Sequence, residues 1–147
     1  MKREPVIFSK RVRAVFQLNR DKIGLPFFSG FPKNSCRGAS LFLGYLLKEQ
    51  FPGTKIELIH GSHRYKDEHH YWLEVDGYTF DITADQFEQF SSPIYAWVAN
   101  PLKEYFSVVD RTCVTKSFLK YDSIGSWAKR DILKQLKSLY SGCKTPF

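Results

Sequence analysis

Apolar side chains recur at helical spacing after residue 35, and this is the clearest pattern in the chain. Between residues 36 and 50 they fall at intervals of three and four, which places them on one face of a helix: Ala39, Phe42, Leu43, Leu46 and Leu47. Asn34 or Ser35 can cap such a helix, and Pro52-Gly53 ends it. The pattern therefore predicts a helix over residues 36–50.

Alternating side chains and a turn signal predict an antiparallel meander after this helix. Residues 55–60 and 69–75 alternate apolar and polar positions as strands do, and the polar residues 61–68 form the turn between them. Asp76-Gly77 is a strong signal for a tight hairpin turn. We therefore expect residues 78–83 to return as a strand beside 69–75.

Two further helices are predicted towards the ends of the chain. Ser9 to Asn19 carries a short apolar stripe with Ser9 as its cap, and residues 126–140 are amphipathic with a basic polar face. Residues 24–34 contain two prolines and two glycines, which predict an irregular loop. This order of elements is typical of an α+β fold. With no visible linker or repeat, we expect a single domain over residues 1–147.

The net charge of +7 is divided into two basic ends around an acidic centre. Residues 1–34 carry 8 basic and 2 acidic side chains, residues 35–102 carry 5 and 9, and residues 103–147 carry 9 and 4. A basic surface can attract an acidic protein, an anionic membrane or nucleic acid. No basic run exceeds a few residues, so a solvated surface is favoured over nucleic-acid binding, and an acidic protein partner stays open.

The cysteine count and the apolar runs indicate a cytoplasmic protein. Three widely spaced cysteines are an odd number and favour reduced thiols over a disulfide framework. The first residues do not resemble a secretory signal, and no run of about 18 apolar residues could span a membrane. We therefore expect a protein of the cytoplasm with no membrane span.

Cys36 stands in the first turn of the predicted helix, where a thiol becomes a better nucleophile. The unpaired N–H groups and partial positive charge of a helix start stabilise a thiolate, and the Cys36 amide can donate to an oxyanion. Cys113 lies in a strand-like segment and Cys143 in a glycine-containing tail, so neither shares this setting. Cys36 is the candidate nucleophile.

A histidine and a carboxylate that could assist Cys36 lie on the predicted hairpin. Strand alternation places His70, Trp72 and Glu74 on the face opposite an apolar set, so we expect His70 to face a cleft. The Asp76-Gly77 turn brings Asp81 back towards His70. A carboxylate on the far imidazole nitrogen would fix the histidine tautomer and stabilise the imidazolium.

These residues resemble the transglutaminase-like cysteine enzymes of the papain-like superfamily. Residues 70–75, His-Tyr-Trp-Leu-Glu-Val, are similar to the family signature His-x-Trp-x-Glu-Val, and residues 81–83 are similar to Asp-x-Thr. Cys36 matches the nucleophile position, and the order Cys, His, Asp is that of the family. The resemblance covers roughly residues 33–87. It implies a papain/transglutaminase-like core in which the nucleophile helix packs on an antiparallel sheet.

The resemblance implies thiol-dependent acyl transfer through a thioester. Cys36 would attack the amide carbonyl of a peptide or protein substrate, His70 would shuttle the proton, and Asp81 would hold His70. Such chemistry needs no cofactor. The four histidines lack a matched cysteine pair or a His-Glu-x-x-His helix, so no metal site is expected.

Two departures from the family pattern leave parts of the site open. The usual Asp-Pro-Thr is Asp-Ile-Thr here, and Gly30 stands where papain-type enzymes carry a glutamine. Asn34 and Trp72 are therefore candidates for the second oxyanion donor, and Gln86 or Asp85 is a candidate support, although both could also lie in a surface turn. Hydrolysis of the cysteine-protease kind, glutamine deamidation or transglutamination of a protein, and a non-catalytic basic binding protein with this fold all stay open.

Overall fold

The computed structural model describes residues 3–142 of the chain, which contain both helices and a sheet. Helices and strands follow in the order α1 (Arg3–Leu18), α2 (Cys36–Gln50), β1 (Ile56–His63), β2 (His69–Val75), β3 (Tyr78–Asp81), β4 (Ile94–Trp97), β5 (Phe106–Cys113), α3 (Val114–Lys120) and α4 (Ser126–Gly142). Over this range the fold is α+β, with four α-helices and a five-stranded sheet. The predicted fold class is confirmed at this level.

The sheet has the strand order β4-β3-β2-β1-β5, and every neighbouring pair is antiparallel. The turn between β2 and β3 consists of Asp76 and Gly77, whose φ angles are 49° and 83°. Two successive left-handed residues match the right-handed twist of a two-residue hairpin, which explains the aspartate–glycine pair. Strand β2 therefore lies at the centre of the sheet, with β3 on one side and β1 on the other.

Helix α2 packs closely on one face of the sheet because it carries a glycine at the contact. A Cβ atom at Gly44 would lie 2.5 Å from Val114 Cγ2 and 3.0 Å from Leu73 Cδ2. The missing side chain lets α2 approach both β2 and the start of α3. The larger apolar core lies on this face and also takes in residues of α1 and α4.

A second, smaller apolar cluster covers the opposite face of the sheet. Its buried members come from β1, β2, β4, β5 and the segments between strands: Ile59, Trp72, Ala84, Ile94, Leu102 and Phe106. The chain between β3 and β5 folds over this face. The face on which a cleft was expected beside His70 is covered by this cluster instead, and His70 has no solvent exposure.

The helix over residues 36–50 and the strand over 69–75 are confirmed with the predicted bounds. The first helix begins at Arg3 and not at Ser9, so Ser9 is not its cap; its Oγ donates to the Pro5 carbonyl at 2.8 Å. Pro5 is tolerated in the first turn, where backbone N–H groups have no helical partner. The last helix runs beyond residue 140 to Gly142.

Between residues 94 and 120, β4 and α3 were not predicted, and of β5 only the strand-like segment around Cys113 was. Two predicted strands also have different bounds, since β1 extends to His63 and β3 ends at Asp81. The extension of β1 is stabilised by β5, whose Phe106 pairs with His63. Pairing between segments so distant in the chain leaves no local signal in the sequence.

Candidate active site

His70 on β2 and Asp81 at the end of β3 form a buried hydrogen-bonded pair. His70 Nε2 lies 2.6 Å from Asp81 Oδ2, and neither side chain is exposed. The other carboxylate oxygen accepts hydrogen bonds from the Thr83 backbone N–H at 3.0 Å and from Thr83 Oγ1 at 3.2 Å. Asp81 is thus held by the turn that follows it, and it fixes the orientation of the imidazole.

The charged form of His70 is stabilised by its neighbours although it is buried. Burial alone would lower the pKa of His70, but the Asp81 charge and hydrogen bond, together with Cys36, raise it to about 10. Asp81 occupies Nε2, and Nδ1 makes no hydrogen bond of ordinary geometry within residues 3–142. Nδ1 is therefore the ring nitrogen that remains for Cys36.

Cys36 is the first residue of α2 and is half-buried. Ser35 is the N-cap by position, yet its side chain does not cap the helix, because Ser35 Oγ donates to the Pro32 carbonyl at 3.0 Å. The N–H groups of the first turn are therefore left without a side-chain acceptor from the cap. The partial positive charge of this helix start, where Cys36 is the first residue, favours a thiolate.

Aromatic rings enclose the imidazole of His70. The ring centroids of Phe87, Phe106 and Trp72 lie 4.8, 5.4 and 5.8 Å from that of His70. Trp72 is completely buried, and its Nε1 has no hydrogen-bond partner among the described residues. A Cβ atom at Gly61 would lie 2.6 Å from the Trp72 ring, so glycine provides the space for this indole. The rings keep water from the pair of His70 and Asp81.

Gln86 links the turn after Asp81 to the segment before Cys36. Its Nε2 donates to Thr83 Oγ1 at 3.1 Å, and its Oε1 accepts from the Asn34 backbone N–H at 3.4 Å. Asn34 is exposed and has a left-handed backbone, with φ of 59°. The geometry therefore gives Gln86 a supporting position between the two parts of the site.

Arg13 on α1 holds the same turn from the other side, and sequence reasoning missed it. Its guanidinium binds both oxygens of Asp85, at 2.8 and 2.7 Å, and also donates to the Ile82 carbonyl. Because Arg13 and Asp85 lie 72 residues apart, only the folded chain brings them together. The turn that carries Asp81 and Gln86 is thus anchored to the first helix.

Cys113 also stands at a helix start, although its sequence suggested only a strand. It is the last residue of β5 and the N-cap of α3, and it is exposed. Backbone N–H groups of Lys116 and Thr115 lower the pKa of the Cys113 thiol. No imidazole or carboxylate contributes to this shift. The third cysteine, Cys143, lies outside the described residues.

The remaining histidines are separate from this pair. His60 Nε2 lies 2.8 Å from His69 Nδ1, on the other side of β2 from His70. Within residues 3–142, no three His, Cys, Asp or Glu side chains are grouped so that they could hold a metal ion. The same range contains no helix long and apolar enough to cross a membrane.

Comparison with known proteins adds no relative to this description. No protein-family model, no curated protein and no solved structure matches the chain. The class of protein must therefore be argued from the site itself.

Proposed function

We propose that this chain is a thiol-dependent amide hydrolase or acyltransferase with a papain/transglutaminase-like core. The observation that supports this most strongly is the buried His70–Asp81 pair, 2.6 Å apart, whose imidazole interacts with the cysteine that begins a helix. Nucleophile, base and orienting acid are the three parts that covalent catalysis by a thiol requires. The packing of the Cys36 helix on an antiparallel sheet is consistent with such a core.

The proposed reaction begins with a Cys36 thiolate and a protonated His70. The thiolate attacks the amide carbonyl carbon and a C–S bond forms, while the carbonyl oxygen becomes an oxyanion within reach of the Cys36 amide. His70 gives its proton to the leaving nitrogen, and the C–N bond breaks to leave a thioester. The raised pKa of His70 favours the imidazolium that this step needs.

Water or an amine then attacks the thioester carbonyl, and His70 accepts the proton of this second nucleophile. The C–S bond breaks and the Cys36 thiolate is released with His70 again protonated. With water the outcome is peptide cleavage or glutamine deamidation, and with an amine it is transamidation. We propose a peptide or protein substrate in each case, and product analysis by mass spectrometry separates the three outcomes.

The decisive experiment measures alkylation of each cysteine by iodoacetamide as a function of pH, in the wild type and in His70→Ala. We expect His70→Ala to slow alkylation of Cys36 at pH 6 by about tenfold or more, since the imidazolium that pairs with the thiolate is lost. The rate at Cys113 should not change. His69→Ala, which removes the neighbouring histidine on the opposite face, is the matched control and should leave Cys36 reactive.

Equal alkylation of Cys36 in the wild type and in His70→Ala would contradict the proposed function. Cys36 would then be a structural thiol, and a non-catalytic basic binding protein would be the better interpretation. Mass spectrometry of tryptic peptides assigns each modified cysteine, so exposure of Cys113 cannot be mistaken for activation of Cys36.

A further inference from the structure

We propose that an open cavity lined by Arg37, the residue after Cys36, binds a negatively charged side chain, a carboxylate or a phosphate, of the substrate peptide. This inference rests on the proposed function. The cavity has a volume of about 210 Å³ and lies on the α2 face of the sheet. The polar groups that decide its chemistry are Arg37, His60, Asp110 and Lys120. It lies apart from the aromatic rings that enclose His70.

Arg37 is the lining residue whose guanidinium is held by aromatic rings without being paired to a carboxylate. Its Cζ lies 5.4 Å from the Tyr71 ring centroid and 5.3 Å from the Tyr121 ring centroid. The Arg37 side chain makes no hydrogen bond or ion pair with any residue between 3 and 142. By contrast, Arg13 is bound by Asp85 and Arg111 by Glu74. Arg37 therefore keeps its planar set of donors for an external anion.

The charge of the cavity also favours an anion. Lys120 supplies a second cation, and Asp110 is the lining carboxylate that opposes the two. The pKa of His60 is lowered by burial and then by the charges of His69 and Arg37, while Asp110 raises it. A lowered pKa keeps His60 neutral at pH 7. The charges of Arg37, Lys120 and Asp110 then give the cavity one net positive charge. An anion bound at Arg37 would offset the charge of its guanidinium and so raise the pKa of His60.

The position of the cavity ties it to the proposed chemistry. Arg37 directly follows Cys36 in the chain. Tyr71, whose ring lies against the Arg37 guanidinium, directly follows His70. Consecutive Cα atoms are about 3.8 Å apart, and an extended peptide advances about 3.3–3.6 Å per residue. Tyr71 and His70 lie on opposite sides of β2, so the link between the cavity and the site is the step from Cys36 to Arg37 along α2. We infer that a substrate side chain a few residues from the reacting carbonyl spans this step. The substrate class inferred is a peptide with an acidic or phosphorylated residue near the reacting amide.

The first experiment tests anion binding without any catalytic step. The pKa of His60 is followed by NMR while sodium sulfate or glutarate is added at constant ionic strength. We expect either anion to raise the pKa of His60 in the wild type and in the control Arg130→Gln, but not in Arg37→Gln. A larger response to glutarate assigns the site to carboxylates, and a larger response to sulfate assigns it to phosphate-like groups. No response in the wild type overturns the inference.

The second experiment connects the cavity to Cys36. Peptidyl chloromethyl ketones that differ only in a Gln, Glu or phosphoserine two residues before the reactive carbon are compared by their rates of Cys36 alkylation. We expect one of the charged probes to react about fivefold faster than the Gln probe in the wild type, and this preference to vanish in Arg37→Gln. Equal rates for all three probes overturn the link between cavity and substrate.

The two failures can be told apart. If anions shift His60 but no probe alkylates Cys36, the anion site is supported while the proposed thiol chemistry fails. If Cys36 reacts in a His70-dependent way but shows no charge preference and no anion shifts His60, the proposed function stands and this inference fails.

Discussion

Cys36 and Cys113 are both found at helix starts, yet their surroundings differ in the groups that chemistry requires. Cys36 is half-buried at the first position of α2 and interacts with His70 of the buried His70–Asp81 pair. Cys113 is exposed at the N-cap of the seven-residue α3, and its neighbours are backbone N–H groups. Along β1, Glu57 pairs with Cys113 and Gly61 pairs with His70, so the two sites lie at different ends of this strand.

This difference teaches that a helix start by itself does not identify a catalytic thiol. Since the pKa of Cys113 is lowered without any histidine, chiefly by the backbone N–H groups of Lys116 and Thr115, ready alkylation near neutral pH would not separate it from Cys36. What Cys113 lacks is an imidazole to protonate a leaving group. Dependence on His70 and Asp81 is therefore the property that distinguishes the two cysteines.

The largest effect is expected from Asp81→Asn, which removes the charge that holds His70. Because both side chains are buried, breaking the pair should lower the free energy of unfolding by about 3–5 kcal/mol near pH 6. The pKa of His70 is raised from its ordinary value of 6.5 to about 10, so the folded protein holds a proton that the unfolded chain loses. This stabilisation is complete below about pH 6.5 and is lost as the pH rises towards 10.

Urea unfolding of the wild type and Asp81→Asn between pH 6 and 9 measures this difference. The gap in unfolding free energy should narrow as the pH rises, by up to about 1.4 kcal/mol per pH unit for one proton. Asp131→Asn on the exposed side of α4 is the matched control and should follow the wild type. A gap that stays constant with pH would mean that His70 is neutral in the folded protein.

An intermediate effect is expected from Gly61→Ala, which disturbs the rings behind His70. The added Cβ would lie 2.6 Å from the Trp72 ring and 3.0 Å from Phe106 Cβ, and overpacking of this kind costs about 1–3 kcal/mol. Urea unfolding measures this loss, and alkylation of Cys36 should slow while that of Cys113 stays the same. Gly53→Ala, whose Cβ would meet nothing within 4 Å, is the control. Unchanged stability would show that the indole can move aside.

Local signals account for the part of the fold that the sequence predicts well. The helix over residues 36–50 has a regular apolar face, and the hairpin has an Asp-Gly turn between alternating strands. By contrast, β5 lies at the sheet edge with most of its side chains exposed, so it shows no alternation of buried and exposed positions. Its place is determined by pairing with β1, about 50 residues earlier in the chain.

The features of the candidate site also divide into those with a local sequence signal and those that depend on distant segments. Cys36, His70 and Asp81 could be proposed because a helix start and a hairpin fix their places locally. The burial of His70 could not, since it depends on Phe87 from the segment after β3 and on Phe106 at the start of β5, and neither segment has a periodic pattern. The ion pair of Arg13 and Asp85 joins α1 to the turn after β3, and two charged residues so far apart show no sign of their pairing in the sequence.

The smallest effect is expected from Cys113→Ser. This variant tests whether Cys113, the other cysteine at a helix start, contributes to the reactivity of the protein. Cys113 is exposed and serine is a strongly preferred N-cap residue, so the free energy of unfolding should change by no more than about 0.5 kcal/mol. Alkylation of Cys36, and any turnover found for the wild type, should keep their rates and their dependence on His70. Both are measured with the Cys113→Ser protein beside the wild type, and Cys36→Ser serves as the reciprocal variant. If Cys113→Ser abolished turnover while Cys36→Ser did not, the lowered pKa of Cys113 would outweigh the imidazole at Cys36, and the nucleophile would have to be reassigned.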